Sequence, residues 1–275
     1  MKLRNSFAVI GACMAACLIT SNSYAQSAFA GFYGQVSTGY ESNQLGSLTG
    51  TGKTTPNVNS DVYLTGPSQS FGGAPLVLGA GYYWQANENW LLGVGADYSV
   101  LTQTSSNIPL NNTNYPGNTN IAAGETVTGN GASMKISNRF NLFLTPAYAI
   151  DKDKLVYLKA GYSQVTAQYN RVSSATRTAN GVSTTAQALG GNQSSNQGGF
   201  LIGLGYKQMI TSGLFGFVEG NYMSYSAPSY SYTSGIKAIE TLTGINSSSA
   251  STRAITANFS SLNTYQFLIG VGYAF

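Results

Sequence analysis

Toward the C-terminus apolar side chains alternate with small or polar ones, a period of two that no helix can use. Phe259, Tyr265, Phe267, Ile269, Val271, Tyr273 and Phe275 share one parity. Thr264, Gln266, Gly270, Gly272 and Ala274 share the other, with Leu268 as its exception. Successive side chains of a strand point to opposite faces, so this segment reads as a strand with one apolar face. The alternation recurs upstream near 31–42 (Phe32, Val36, Tyr40), 73–84 (Leu76, Leu78, Ala80, Tyr82, Trp84) and 90–102 (Trp90, Leu92, Val94, Tyr98, Val100). It continues near 134–150 (Ile136, Phe140, Leu142, Leu144, Tyr148, Ile150), 155–168 (Val156, Leu158, Ala160, Tyr162) and 198–209 (Phe200, Ile202, Leu204, Tyr206). The segment 214–225 is less clean, because Phe215 and Phe217 oppose Val218 and Tyr222 in parity.

The connections between these eight segments alternate in length. Short ones lie at Gln85–Asn89, Asp151–Lys154 and Thr211–Gly213. Long ones, rich in Ser, Thr, Asn and Gly, lie near 43–72, 103–133, 169–197 and 226–258. Transmembrane β-barrels have short turns on the periplasmic side and long loops outside. An even strand number also brings both chain ends to the same side.

Composition points the same way. Only 8% of residues are charged, against about 25% in soluble domains. With 19 Tyr and 12 Phe the chain carries too much apolar area to stay unfolded. Beyond the N-terminal segment no stretch is apolar enough for a spanning helix. A closed barrel is then the remaining way to cross a bilayer, because hydrocarbon offers no partner for an open sheet edge. The first residues supply the export signal. Lys2 and Arg4 precede an apolar run from Phe7 to Ile19, and Ser23-Tyr24-Ala25 sets small residues for cleavage after Ala25. Residues 1–25 therefore read as a signal peptide and 26–275 as one outer-membrane β-barrel domain. Lipoprotein processing at Cys13 or Cys17 is the alternative, weakened because neither cysteine has a leucine three residues before it. Cleavage after Ala25 leaves 11 basic and 9 acidic side chains and no cysteine, which gives no reason to invoke nucleic acid and excludes thiolate metal sites.

The charges indicate which face meets lipid. Glu41, Asp97, Lys135, Arg139, Lys159, Lys207 and Glu219 are the charged residues inside the predicted strands, and all fall opposite the aromatic set. A soluble, lipocalin-like barrel would bury the aromatics and expose that second face. Yet the second face is poor in charge and crowded with glycine. Outward Arg or Lys at the bilayer midplane costs about 2–4 kcal/mol, so the consistent arrangement is charges inside and aromatics outside. Tyr82, Trp84, Trp90, Tyr148, Tyr206, Tyr273 and Phe275 then form a periplasmic aromatic girdle.

Gly31-Phe32-Tyr33-Gly34-Gln35, Phe217-Val218-Glu219-Gly220-Asn221-Tyr222 and the closing Ile269-Gly270-Val271-Gly272-Tyr273-Ala274-Phe275 resemble the small outer-membrane β-barrel proteins of the opacity-protein and OmpA-transmembrane-domain type, often called porin-like. The resemblance covers the whole mature chain. It implies an all-β, eight-stranded antiparallel up-and-down barrel in the outer membrane of a Gram-negative cell, in contact with its lipid and lipopolysaccharide. It also implies that Tyr273 and Phe275 form the terminal signal read by the barrel-assembly machinery.

Chemistry is sparse. Outer-membrane proteases, phospholipases and acyltransferases commonly use a histidine as general base, and this chain has none. Neither an enzyme nor a cofactor or metal is expected. Asp151 and Asp153 alternate with Lys152 and Lys154 in a tight turn, and the Gly-x-Gly fragments at Gly93–Gly95 and Gly203–Gly205 lack the helix that a phosphate cradle needs. The constellation that stands out is Asp97, Arg139, Lys159, Lys207 and Glu219. It forms either an ion network that plugs the lumen or the lining of a narrow channel for small solutes or ions. Outside, Tyr225, Tyr230 and Tyr232 cluster at the start of the last long loop and are candidate contacts for an extracellular glycan or protein. Arg171 and Arg177 are candidates for lipopolysaccharide phosphates.

Overall fold

The structure, a computed structural model, describes residues 27–55, 61–114, 121–187, 191–235 and 252–275. The expected signal peptide, with Cys13 and Cys17, lies outside these residues.

Eight long strands form the wall: β1 (Gly31–Leu45), β2 (Leu76–Gln85), β3 (Trp90–Ser99), β4 (Thr126–Asp151), β5 (Lys154–Asn170), β6 (Asn192–Met209), β7 (Leu214–Tyr225) and β8 (Leu262–Ala274). Each pairs antiparallel with its neighbour in sequence. The ring closes because β8 pairs with β1, from Tyr33 opposite Ala274 to Leu45 opposite Leu262. Closure satisfies every edge, the condition for a sheet in hydrocarbon. The turns at the lower end are tight. That between β6 and β7 depends on Gly213 at φ +79°, a left-handed conformation that side-chain-bearing residues adopt only at a cost.

Alternation gives the wall two opposite faces. The outer one carries Phe32, Tyr40, Leu78, Leu92, Leu142, Leu158, Leu204 and Phe267, all exposed. A water-soluble barrel would bury these, so the lipocalin-like arrangement is overturned. Below lies a ring of aromatics in contact, with Phe32 against Tyr82 (4.7 Å), Tyr82 against Trp84 (4.8 Å) and Trp90 against Tyr148 (5.3 Å). Above, Tyr98, Tyr162 and Tyr222 mark the upper limit. Immediately beyond it the outer face turns to amides and hydroxyls, laddered from Tyr98 through Asn138 and Thr166 to Asn196. From Trp90 to Tyr98, at roughly 3.3 Å per residue and a tilt of about 40°, the apolar band is about 20 Å tall.

On β4 the wall departs from strict alternation beside Asn138. Between Phe140 and Ser137 the register with β5 shifts, and Asn138 takes φ +51°, as in a β-bulge. The bulge reverses the parity of the residues from Ser137 back to Ala132, and a second irregularity at Gly131, φ +87°, restores it, so that Val127 is again buried on odd parity. Ile136, expected outside, is 3% exposed in the interior. Lys135, expected on the inner face with the other charges, lies on the outer face above the aromatics.

The described residues of the long connections build a second tier of sheet. Its order is Val182–Gln187, Ser174–Ala179, the first turnless stretch of β4 (126–132), Ile108–Asn114, Val62–Gly66, Leu48–Thr55, Thr252–Phe259 and Ser229–Gly235. Asn180-Gly181, at φ +49° and +77°, closes the hairpin between the first two, as a type I′ turn requires. The tier encloses an apolar core of its own, with Leu48, Val62, Leu64, Ile108, Leu110 and Phe259 each buried. Far from loose decoration, the upper segments are continuous with the wall and packed.

Candidate functional site: the filled lumen

Three layers of side chains stack inside the wall. The lowest is aromatic: Phe29, Tyr33, Tyr83, Tyr157, Phe215 and Phe217 pack together. Phe29 belongs to the short segment before β1, which folds back under the barrel. There Ser27 N–H donates to Gln85 Oε1 at 2.9 Å, and Phe29 lies edge-on to Phe215 at 6.0 Å. The inward parity of Phe215 and Phe217, which made β7 look irregular in sequence, is what builds this layer. Strand glycines give the rings room. A Cβ added to Gly95 would stand 2.7 Å from the Phe143 ring, and one on Gly270 would stand 2.6 Å from Phe217.

The middle layer is ionic. On β5 the period-two pattern aims Lys159 inward, where its ammonium donates to Asp97 Oδ2 at 2.7 Å and Glu219 Oε1 at 2.8 Å. It also sits over the Phe143 ring at 4.1 Å. Asn141 donates to Asp97 Oδ1 at 2.6 Å and Tyr157 donates its hydroxyl to Glu219 Oε2 at 2.7 Å. Higher up, Arg139 pairs with Glu41. The same guanidinium donates to Tyr225 Oη at 3.1 Å, Asn43 Oδ1 at 3.0 Å and Thr264 Oγ1 at 3.2 Å. Asn221 and Gln266 join the two clusters: Asn221 donates to Glu219 at 2.7 Å and to Gln266 at 3.2 Å, and Gln266 donates to Glu41 at 3.1 Å. The result is one network across the lumen. Its charged members are buried, with side chains of Lys159, Asp97 and Glu219 only 1–3% exposed. Charges out of water are tolerable only when paired and hydrogen-bonded in this way.

Lys207 stands apart. Among the described residues its ammonium has no ion-pair partner within 4 Å. It donates to Gln35 Oε1 at 3.1 Å and lies over the rings of Tyr33 (4.0 Å), Phe215 (4.7 Å), Tyr83 (5.2 Å), Tyr157 (5.4 Å) and Phe217 (5.8 Å). Aromatic faces attract a cation through their quadrupoles, so the lowest layer is itself a cage for this lysine. The candidate constellation thus divides: Asp97, Lys159 and Glu219 come together, Arg139 joins them through amides, and Lys207 sits one layer below. Glu41 is the partner that sequence reasoning did not assign to it. Its inward parity was visible, but its place opposite Arg139 follows only from the ring closure that sets β1 beside β8.

The third layer is the apolar core beneath and within the upper tier. Here two expected surface contacts prove internal. Tyr225, 7% exposed, accepts from Arg139 and hydrogen-bonds Ser163 at 2.8 Å. Tyr230, 3% exposed, donates to the Ala167 carbonyl at 2.8 Å and stacks on Tyr169 at 5.5 Å. Both lie on the inward parity of their segments, and the tier above covers them. Burial raises the Tyr230 phenol above its ordinary pKa. Tyr232 is half-buried, with Arg171 stacked over its ring at 4.8 Å. Arg177 pairs with Glu125, which lowers the pKa of that carboxyl. At the periplasmic end, Tyr273 and Phe275 point outward with their rings 5.2 Å apart, and Phe275 is 81% exposed.

No protein-family model and no curated sequence matches the chain. Solved structures similar to it are outer-membrane proteins. OprG of Pseudomonas aeruginosa is 13% identical, over 90% of this chain and 96% of its own, with a TM-score of 0.42. The outer-membrane protease OmpT of Escherichia coli is 11% identical over 92% and 99%, with a TM-score of 0.40. Ail, the attachment invasion locus protein of Yersinia pestis, is 11% identical over 86% and 99% in its complex with the heparin analogue sucrose octasulfate, with a TM-score of 0.31. These superpositions are loose, and the strand pairing and the apolar outer band carry the assignment. The chain is a small outer-membrane-type β-barrel of eight antiparallel wall strands.

Proposed function

We propose that this protein is a non-enzymatic integral outer-membrane barrel whose lumen is sealed by its own side chains, and that it serves envelope integrity or surface contact through its upper tier. The observation that carries the reading is the burial of the lumen charges. A pore lined by Lys159, Asp97 and Glu219 would leave them open to water, whereas their side chains are 1–3% exposed. In the wall strands three buried carboxylates (Glu41, Asp97, Glu219) face three buried cations (Arg139, Lys159, Lys207), a balance that gives a passing ion no preference. A narrow channel, the alternative, requires this network to part. Catalysis finds little support: of the three lumen carboxylates, Asp97 and Glu219 are held by Lys159 and Glu41 by Arg139.

With the lumen shut, contact with the exterior falls to the upper tier. Its outward residues are mostly hydroxyls and amides, a surface suited to glycans or protein. In this reading lipid and lipopolysaccharide surround the wall, and Tyr273 and Phe275, exposed at the chain end, serve as the signal for the assembly machinery. Liposome swelling tests the sealed lumen. Liposomes containing the refolded protein should swell no faster in isosmotic arabinose than empty ones. Swelling that grows with protein content would overturn the reading in favour of a channel.

A further inference from the structure

The outer wall is uneven near the periplasmic girdle. Two troughs flank the ridge made by Tyr206 and Val218. One, of 610 Å³, is bounded by Trp90, Val156, Leu204 and Phe267 and includes Gly220. The other, of 800 Å³, is bounded by Val36, Ile269 and Val271 and includes Gly216. Nothing lies within 4 Å of a Cβ added at Gly220, so the trough there is open on its lipid side.

At the foot of the ridge stands a pair of opposite charges. Lys154 occupies the same outer parity of β5 as Val156 and lies in register with Gln208 of β6, whose Oε1 accepts from the Tyr206 hydroxyl at 2.9 Å. Lys154 donates to Asp151 Oδ2 at 2.9 Å, and both side chains are over 40% exposed. Asp151 Oδ1 also accepts from the Asp153 N–H at 2.9 Å. With this exposure both groups still reach the interface, the ammonium able to bind a phosphate and the carboxylate oxygens able to accept a further hydrogen bond from a second ammonium. Two apolar troughs converging on a plus–minus pair match a zwitterionic lipid with two chains.

We propose that this face binds a diacyl phospholipid with a primary-ammonium headgroup, phosphatidylethanolamine, with its phosphate on Lys154, its ammonium on Asp151 and a chain in each trough. A primary ammonium donates hydrogen bonds to a carboxylate, and charge-assisted bonds of that kind are the strong ones. A quaternary ammonium has no N–H to donate, so phosphatidylcholine forfeits the Asp151 contact.

The inference rests on the membrane placement proposed above, and the test separates the two. Of the two tryptophans, Trp90 borders the first trough, so Trp84→Phe leaves it as the sole reporter. The protein is refolded into phosphatidylcholine vesicles containing increasing fractions of phosphatidylethanolamine with brominated chains, and Trp90 quenching gives their relative association constant. One exposed ion pair supports a preference of roughly two- to fivefold. Asp151→Asn and Gly220→Leu should each return the ratio to about one. Gly216→Leu, in the other trough, serves if Gly220→Leu fails to fold by electrophoretic mobility. A ratio of one in the parent, or a preference that survives the substitutions, overturns the site. Failure of brominated lipid of either class to quench Trp90 overturns the membrane placement itself.

Discussion

Lys159→Met removes the cation at the centre of the lumen and leaves Asp97 and Glu219 buried without it. Both carboxylates lie within hydrogen-bond distance of one ammonium, so they are within about 5.5 Å of each other. Two like charges at that separation repel by about 3 kcal/mol at an effective dielectric constant near 20. Removing one partner of a buried ion pair costs about 3–5 kcal/mol, and the variant should lose stability in that range. Unfolding in urea, followed by tryptophan fluorescence of the barrel refolded in thin-chain lipid vesicles, reads the loss as a lower midpoint. The triple variant Asp97→Asn, Lys159→Met, Glu219→Gln removes the stranded charges along with the lysine and should recover most of it. Such non-additivity is expected of groups in one network. A single variant within 1 kcal/mol of wild type, or a triple variant no better than the single, would refute the ionic layer as the element holding the lumen together.

Other substitutions probe the remaining layers. Lys207→Met should change the unfolding free energy by no more than about 1 kcal/mol, because its ammonium has ring faces and one amide but no paired carboxylate to strand; the urea midpoint checks this. Phe29→Ala should cost about 3 kcal/mol in the same assay, since a buried ring in the periplasmic layer is lost. At the β4 bulge, Asn138→Val should cost about 1–2 kcal/mol for a β-branched residue at positive φ, while Asn138→Gly should be milder. Equal losses from the two would argue against the left-handed conformation there.

Much of this architecture is legible in the sequence because the bilayer imposes a strict period of two on the wall. All eight wall strands fall where the alternation places them, and Lys159 and Asp97 are aimed inward by parity alone. Parity also fails in an instructive way at Asn138. One extra residue reverses it, so Ile136 enters the core and Lys135 leaves the charged face. The Phe215–Phe217 irregularity was a signal of inner aromatics rather than a weak strand. Asn180-Gly181 is a strong hairpin signal, and it marks ordered structure in a segment whose composition reads as loop. What parity cannot supply is who meets whom across the ring. The Glu41–Arg139 pair joins residues 98 apart in the chain, and the burial of Tyr225 and Tyr230 depends on an upper tier assembled from four separate connections.

Single-channel recording of the refolded protein in a planar bilayer addresses the sealed lumen most directly. Wild type should be silent, while the Arg139→Ala, Lys159→Ala double variant, with both halves of the network cut, should show discrete current steps. Regular steps from wild type, with ion selectivity altered in the double variant, would mean that these side chains line a conducting pore and would contradict the account.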